Sequence, residues 1–217
     1  MMKKVCIIGI GLIGGSLAKA IKKTHQSEIV FGFGRDKSRL EKAQKSNVID
    51  QYSTDIGEAL DGANMVIIAT PVGSYESILK EMKPHIVEDM IISDVGSTKV
   101  SVIEAVKAVF GNTLDNFIPA HPIAGKEKIG FEVSDADLFV NRKVIITPQK
   151  NNNPDSIKIL AKMWEGVGAE VDFMTPQSHD DLLGMTSHLP HMLAFSLVNY
   201  LISQHPEASV YAAGGFK

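Results

Sequence analysis

The sequence is poor in cysteine and has no excess of charge of one sign. Its 217 residues include one cysteine, Cys6, which cannot form an internal disulfide and leaves no thiol cluster to hold a metal. The 22 Lys and Arg residues against 25 Asp and Glu give a formal net charge of -3, too little basic charge for a nucleic-acid backbone or an acidic membrane surface. We therefore exclude nucleic acid and membrane as partners and expect a reducing, cytoplasmic location.

Long apolar runs and internal repeats are absent as well. The apolar run at 5–15 follows Lys3 and Lys4, as in a signal peptide, but glycines interrupt it. It is also shorter than the roughly 20 residues that a membrane-spanning helix needs. With 44% hydrophobic residues, 18 Gly and 9 Pro, the composition is that of a packed globular protein.

Short β-branched segments alternate with helical patterns along most of the chain. This alternation predicts an α/β fold, a Rossmann-type doubly wound, mostly parallel sheet, with strands at 5–8, 29–33, 65–69, 90–93, 143–147 and 169–173. After Thr175-Pro176 the pattern changes to one apolar helix at about 177–202, in which Pro190 predicts a kink. We predict a dinucleotide-binding domain at 1–174 and the beginning of an all-helical second domain at 175–217.

Three glycines between the first strand and a helix at 13–23 match the dinucleotide-binding fingerprint. Gly9 allows a tight turn, Gly11 lets the backbone approach a pyrophosphate, and Gly14 lets the helix pack on the strand. The helix amino end favours a bound phosphate. The alternative is a glycine-rich turn in another kind of α/β protein. We predict that a cofactor contacts Gly9, Gly11, Leu12, Ile13, Gly14, Thr70, Pro71 and Ser97.

The end of the second predicted strand bears on the choice of cofactor. Gly34 stands where an acidic residue would hold the ribose hydroxyls of NAD, and Arg35 and Asp36 follow it. The guanidinium of Arg35 can bind a 2′-phosphate, which favours NADP. The alternative is NAD, with Asp36 on the ribose and Arg35 in solvent.

Two residues at predicted strand ends are candidates for the chemistry. His121 lies between Pro119, Pro122 and Gly125 in a constrained loop, suited to a general base, although a lone histidine there is more often a turn residue that caps backbone amides. Ser97 follows another strand and would cap the next helix as well as reach a ligand.

His188 and His191 are three residues apart on the predicted apolar helix, a spacing that can bring two imidazoles to one ion. No acidic or thiol side chain is spaced to complete a metal shell. We therefore predict no metal, and interpret both histidines as the polar wall of a substrate pocket. The apolar residues of the same helix predict a core or an interface.

Five motifs follow one another along the chain: Gly-Ile-Gly-Leu-Ile-Gly-Gly-Ser-Leu-Ala from Gly9, Asp-Val-Gly-Ser-Thr-Lys from Asp94, His-Pro-Ile-Ala-Gly from His121, Ser-His-Leu-Pro-His from Ser187, and Gly-Gly-Phe-Lys at 214–217. In order and spacing this set resembles the prephenate/arogenate (cyclohexadienyl) dehydrogenase family. The resemblance implies oxidative decarboxylation of prephenate, or of arogenate, with hydride transfer to NAD(P) in tyrosine biosynthesis. It also implies a homodimer joined through the helical domain.

The resemblance implies residue roles too. His121 corresponds to the family's catalytic histidine, which takes the proton of the substrate's ring hydroxyl, and Ser97 to a serine that orients this histidine and the nicotinamide. The implied substrate-binding residues are His191, Glu127, Ser187 and His188. Relatives continue with a carboxylate-binding arginine and further dimerisation helices, so we expect these 217 residues to hold only the beginning of the second domain.

Two other functions stay open at this point. A β-hydroxyacid dehydrogenase would carry a catalytic lysine on a long helix in place of the His121 loop. A truncated or repurposed chain would be a binding module that holds NAD(P) without turnover. Cofactor binding without oxidation of prephenate would favour the binding module.

Overall fold

The computed structural model describes residues 1–205 and 207, so the motif at 214–217 lies outside the described residues. The chain divides into two compact units, Met1–Pro176 and Gln177–Lys217. Each unit is described by itself below.

The first unit is built on a six-stranded sheet whose strands are all parallel, in the order β3-β2-β1-β4-β5-β6. This is the strand order of the Rossmann fold, with its crevice where the order reverses between β1 and β4. The predicted fold class is therefore confirmed. The strands are β1 (Met2–Ile8), β2 (Ser27–Phe33), β3 (Gln51–Ser53), β4 (Met65–Ile68), β5 (Ile91–Asp94) and β6 (Phe117–Ile118).

Helices cover both faces of this sheet. Alternate residues of a strand point to opposite faces, so each strand contributes to two buried clusters. Val5 and Ile7 belong to one buried cluster and Cys6 and Ile8 to the other. Burial raises the pKa of the Cys6 thiol to about 12, so the lone cysteine is a neutral core residue. The helices are α1 (Leu12–Lys23), α2 (Lys37–Lys45), α3 (Ile56–Leu60), α4 (Tyr75–Met82) and α5 (Val100–Phe110).

The last two predicted strands do not join the main sheet. With β7 (Ala120–Pro122) they form a separate sheet in the order β7-β8-β9, where β8 is Lys143–Ile146 and β9 is Glu170–Phe173. β7 runs antiparallel to β8, which a sequence reading of parallel strands did not predict. Pro119 separates β6 from β7 and marks the point where the chain passes from one sheet to the other. The helix α6 (Pro154–Gly166) is capped by Asn153, whose side chain accepts from the amide of Asp155 at 2.8 Å.

The second unit is not the continuous helix that the sequence predicted. The chain forms α7 (Pro176–Leu183), a π-helical turn (Gly184–His188) and α8 (Leu189–Gln204). Pro190 has no amide to donate to the carbonyl of Thr186, and the irregular turn lies at the place where this bond is missing. Among the described helices, none combines the length and the apolar character needed to cross a membrane.

Candidate active site

The glycine turn between β1 and α1 has the geometry that the fingerprint predicts. Gly9 has a φ of 97°, a conformation that side chains disfavour, and a Cβ on Gly14 would overlap the carbonyl oxygen of Gly9 and lie 3.1 Å from the Ile7 Cγ2 atom. A Cβ on Gly11 would meet nothing within 4 Å. Gly9 and Gly14 therefore shape the turn, whereas Gly11 borders open space where a ligand fits.

A cavity of about 410 Å³ opens above this turn at the carboxyl ends of β1, β2 and β4. Six of the predicted cofactor contacts line it, namely Gly9, Gly11, Arg35, Asp36, Thr70 and Pro71. Leu12, Ile13, Gly14 and Ser97 are not among its lining residues. Leu12 and Ile13 are half-buried against the core, but they are the first residues of α1, so their backbone amides lack partners within the helix. The residues present therefore fit a dinucleotide.

Three of the four charged residues that line the cavity cluster at the start of α2, and the fourth, Glu81, lies in α4. Arg35, Asp36 and Arg39 are exposed and line the cavity together. The Asp36 carboxylate accepts from the amide of Arg39 at 3.1 Å and so caps α2. Arg39 is a second cation at this end of the cavity. We did not select it from the sequence, where the available signal was a second basic side chain in the first turn of the helix that follows Arg35.

His121 lies on a strand and not in the loop that the sequence predicted. It is the middle residue of β7, pairs with Ile145 of β8 and is half-buried. An antiparallel strand pair fixes the backbone at His121 more firmly than a loop would. This placement suits a side chain that must hold one orientation.

Ser97 is exposed in the segment between β5 and α5. It does not cap α5 as expected, since the residue at the cap position is Lys99, and no side-chain capping bond is present there. Its position relative to His121 follows from Asp94, the last residue of β5. One oxygen of Asp94 accepts from the amide of Gly96 at 2.8 Å and the other from the amide of Ala120 at 3.1 Å. One carboxylate thus holds the residues directly before Ser97 and before His121.

Asp94 belongs to a fully buried cluster that the sequence did not reveal. The Lys99 ammonium contacts the Asp94 carboxylate at 2.5 Å and donates to the carbonyl of Ala120 at 2.6 Å, and both charged side chains are 0% exposed. The Tyr75 hydroxyl donates to Asp94 at 3.2 Å. Burial, and then the Asp94 charge, raise the pKa of Tyr75, so the hydroxyl stays protonated as a donor.

The predicted substrate-binding residues are placed in two different segments. Glu127 is exposed in the loop after β7, whose neighbouring residues Gly125 and Lys126 line a second cavity of about 440 Å³. Ser187 lies half-buried in the π-helical turn. The side chains of His188 and His191 lie outside the described residues. In the described part of the chain, no group of three or more His, Cys, Asp or Glu side chains is placed to hold a metal ion.

A parallel Rossmann sheet, a glycine turn with open space above Gly11 and a cavity at the switch point together define a dinucleotide-binding protein. Residues 17–173 match the family described as prephenate dehydrogenase, nucleotide-binding domain, and residues 175–217 match prephenate dehydrogenase, dimerization domain. The chain belongs to the prephenate dehydrogenase family.

Similar proteins agree with this assignment. Over its whole length, the chain is 33% identical to the cyclohexadienyl dehydrogenase of Zymomonas mobilis and 34% identical to the prephenate dehydrogenase of Bacillus subtilis. It spans 75% of the first relative and 59% of the second. The solved structure of prephenate dehydrogenase from A. aeolicus, in complex with hydroxyphenyl propionate and NAD+, superimposes with a TM-score of 0.91 at 34% identity, covering all of this chain and 76% of that one.

Proposed function

We propose that this protein oxidatively decarboxylates prephenate, or arogenate, with transfer of a hydride to NAD(P). The observation that carries the proposal is the cavity of about 410 Å³ over the glycine turn, at the same sheet edge where Asp94 holds the backbone next to Ser97 and His121. The name of the Zymomonas mobilis relative, cyclohexadienyl dehydrogenase, covers both substrates. Prephenate and arogenate differ at the side chain, and we therefore propose the pair.

The cofactor we propose is NADP, with NAD as the alternative. Gly34 leaves the position of the usual ribose-binding acid open, and Arg35 and Arg39 stand beside it with guanidinium groups that match a 2′-phosphate. Asp36, the candidate for the NAD ribose, is engaged as the cap of α2. Against NADP stands the A. aeolicus structure, which is a complex with NAD+.

The residues of the chain would supply positioning and one base. A bound nicotinamide supplies the hydride acceptor. His121 accepts the proton of the ring hydroxyl as the carbon that bears it becomes a carbonyl, and Ser97 donates a hydrogen bond near that oxygen. Loss of carbon dioxide then restores an aromatic ring. The protein therefore needs mainly to hold two rings in register and to take one proton.

The helical unit is proposed to contribute the dimer contact. We propose domain limits of 1–174 and 175–217, with Glu127, Ser187, His188 and His191 on the substrate. Apolar side chains of α8 such as Phe195, 68% exposed, and Met192, 68% exposed, would be covered in a homodimer. The match to a dimerization domain over 175–217 supports this assembly. A cytoplasmic location remains part of the proposal.

The two competing functions make different predictions. A β-hydroxyacid dehydrogenase needs a catalytic lysine on a long helix, and no lysine occurs in the sequence from Pro176 to Gln204, which spans α7 and α8. A binding module would hold the nucleotide without oxidising a substrate. Only a measurement of turnover separates the binding module from the enzyme.

The deciding experiment measures nicotinamide reduction by absorbance, with each substrate paired with each cofactor. We expect turnover with prephenate or arogenate and a lower KM for NADP than for NAD. Nucleotide dissociation constants are measured in parallel by fluorescence. Tight nucleotide binding with neither substrate oxidised would replace the enzyme by the binding module.

A further inference from the structure

The buried pair Asp94–Lys99 takes no part in the proposed transfer of hydride or proton. Both side chains are 0% exposed, in a part of the molecule where most buried residues are apolar. Replacement of such a pair by apolar residues is often neutral or stabilising, so stability alone is a weak reason for its presence. The hydrogen bonds that Asp94 and Lys99 make to the backbone indicate another role.

Those bonds converge on the backbone next to the candidate catalytic residues. Lys99 donates to the carbonyl of Ala120 at 2.6 Å, while the amide of Ala120 donates to Asp94 at 3.1 Å. The pair therefore satisfies both backbone polar groups of Ala120 at the start of β7, where the chain has just left the main sheet at Pro119. These two bonds join the start of β7, one residue before His121, to the buried pair at the end of β5.

The Asp94 carboxylate also accepts two hydrogen bonds from residues near the ends of β4 and β5. Asp94 accepts from the amide of Gly96 at 2.8 Å and from Tyr75, whose hydroxyl also lies 3.2 Å from the carbonyl of Ile68 at the end of β4. A Cβ on Gly96 would lie 2.8 Å from the Asp94 carboxylate and 3.1 Å from the Tyr75 hydroxyl. The packing around Gly96 therefore has no room for a side chain. The end of β5 and the start of β7 are thus joined by one buried carboxylate, and the end of β4 is linked to it through the Tyr75 hydroxyl.

We propose that Asp94 and Lys99 are positioning residues that fix His121 and Ser97 relative to each other and to the nucleotide. The proposal rests on the proposed function for its effect on turnover. It predicts that loss of the pair lowers kcat through misplacement of His121 and leaves the nucleotide cavity intact, since neither Asp94 nor Lys99 lines that cavity.

The test replaces the pair as a unit, Asp94→Asn with Lys99→Met, because removal of one partner leaves a buried charge uncompensated. A misplacement of about 1 Å at a reacting group costs about 10²-fold, so we expect kcat to fall by about that factor. The NADP dissociation constant should stay within about twofold of the wild-type value. The exposed pair Glu76–Lys80 is the matched control, and Glu76→Gln with Lys80→Met should leave kcat unchanged.

A double-mutant cycle separates positioning from a general structural effect. In a His121→Asn background the pair has no base left to position, so the same double substitution should lower the residual rate by less than about threefold. An equal loss of kcat in both backgrounds, or wild-type kcat in the Asp94→Asn/Lys99→Met variant, would overturn the proposal. If that variant does not fold, Tyr75→Phe removes one donor to Asp94 and should lower kcat severalfold with unchanged nucleotide binding; unchanged kcat in that variant would also overturn it.

A readout that needs no turnover keeps this proposal distinct from the proposed function. The imidazole NMR signals of the histidines are recorded, and that of His121 is assigned by its loss in His121→Asn. Substitution of the pair should shift or broaden the His121 signal and leave that of the exposed His25 in place. A wild-type chain without activity refutes the enzyme, whereas an unmoved His121 signal refutes the positioning.

Discussion

The nucleotide end and the reaction end of the site hold their charged side chains in opposite surroundings. At the nucleotide end, Arg35 and Arg39 are exposed at the rim of the cavity. At the reaction end, Asp94 and Lys99 are fully buried and bonded to backbone. Exposed charges can be exchanged with little effect on folding, whereas buried charges are coupled to the backbone around them. Affinity for the nucleotide and alignment for chemistry are therefore separable in this chain.

The largest effect is expected at the reaction end. His121→Asn should lower kcat by about 10²–10⁴-fold, the usual contribution of a positioned base, and leave the NADP dissociation constant unchanged because His121 does not line the cavity. Steady-state rates and nucleotide titrations measure the two quantities. His25→Asn is the control, since His25 is exposed and its φ of 52° suits Asn. Wild-type turnover by His121→Asn would end the assignment of His121 as base.

At the nucleotide end, Gly14 and Gly11 should affect different properties, stability for Gly14 and nucleotide affinity for Gly11. Gly14→Ala should lower the free energy of unfolding by about 1–3 kcal/mol, because its Cβ meets the backbone oxygen of Gly9. Gly11→Ala should leave that free energy within about 0.5 kcal/mol and weaken nucleotide binding by about tenfold or more, because its Cβ enters the open space. Urea unfolding and nucleotide titration distinguish the two. A stable Gly11→Ala variant with normal affinity would place the nucleotide elsewhere.

The difference between the two ends also explains what the sequence could predict. The glycine turn depends on backbone conformation and is encoded within six residues, so its position was correctly predicted. The cluster around Asp94 joins residues 26 apart. Asp94 and Lys99 begin and end one of the five motifs, but the sequence does not show that both charges are buried. Their burial depends on how β7 leaves the main sheet.

Short elements escaped prediction for a related reason. β6 has two residues and β7 three, too few for a periodic pattern to develop, and Pro119 between them argued for a loop. The strands β8 and β9 were predicted at nearly their observed positions, but nothing local indicates which sheet a strand joins. The π-helical turn at Gly184–His188 was anticipated only as a kink at Pro190.

A smaller effect is expected from the exposed arginines. Arg35→Ala should weaken NADP binding about tenfold, the value of one charge-assisted hydrogen bond, and leave NAD binding within about twofold. Arg39→Ala should act in the same direction. Lys37→Ala removes a cation from the same turn of α2 outside the cavity lining and serves as the control for general charge. Equal losses for NAD and NADP would refute a contact with the 2′-phosphate.

The smallest effect concerns an exposed ion pair that contrasts with the buried one. The Asp135 carboxylate accepts from the amide of Asp137 at 3.0 Å and from Lys126 at 2.9 Å, and these bonds lower its pKa in the folded protein. A carboxylate with a lowered folded pKa stabilises the protein above its unfolded pKa of about 3.9, and this stabilisation is lost as the pH falls through the folded pKa. Asp135→Asn should therefore reduce the free energy of unfolding at pH 7 by less than about 1 kcal/mol, since the pair is exposed. The difference from wild type should vanish at acid pH, as measured by urea unfolding between about pH 7 and pH 2.

Lys126→Met should keep part of this pH dependence, because the amide of Asp137 still donates to the Asp135 carboxylate. A pH dependence in Asp135→Asn equal to that of wild type would assign the stabilisation to other carboxylates.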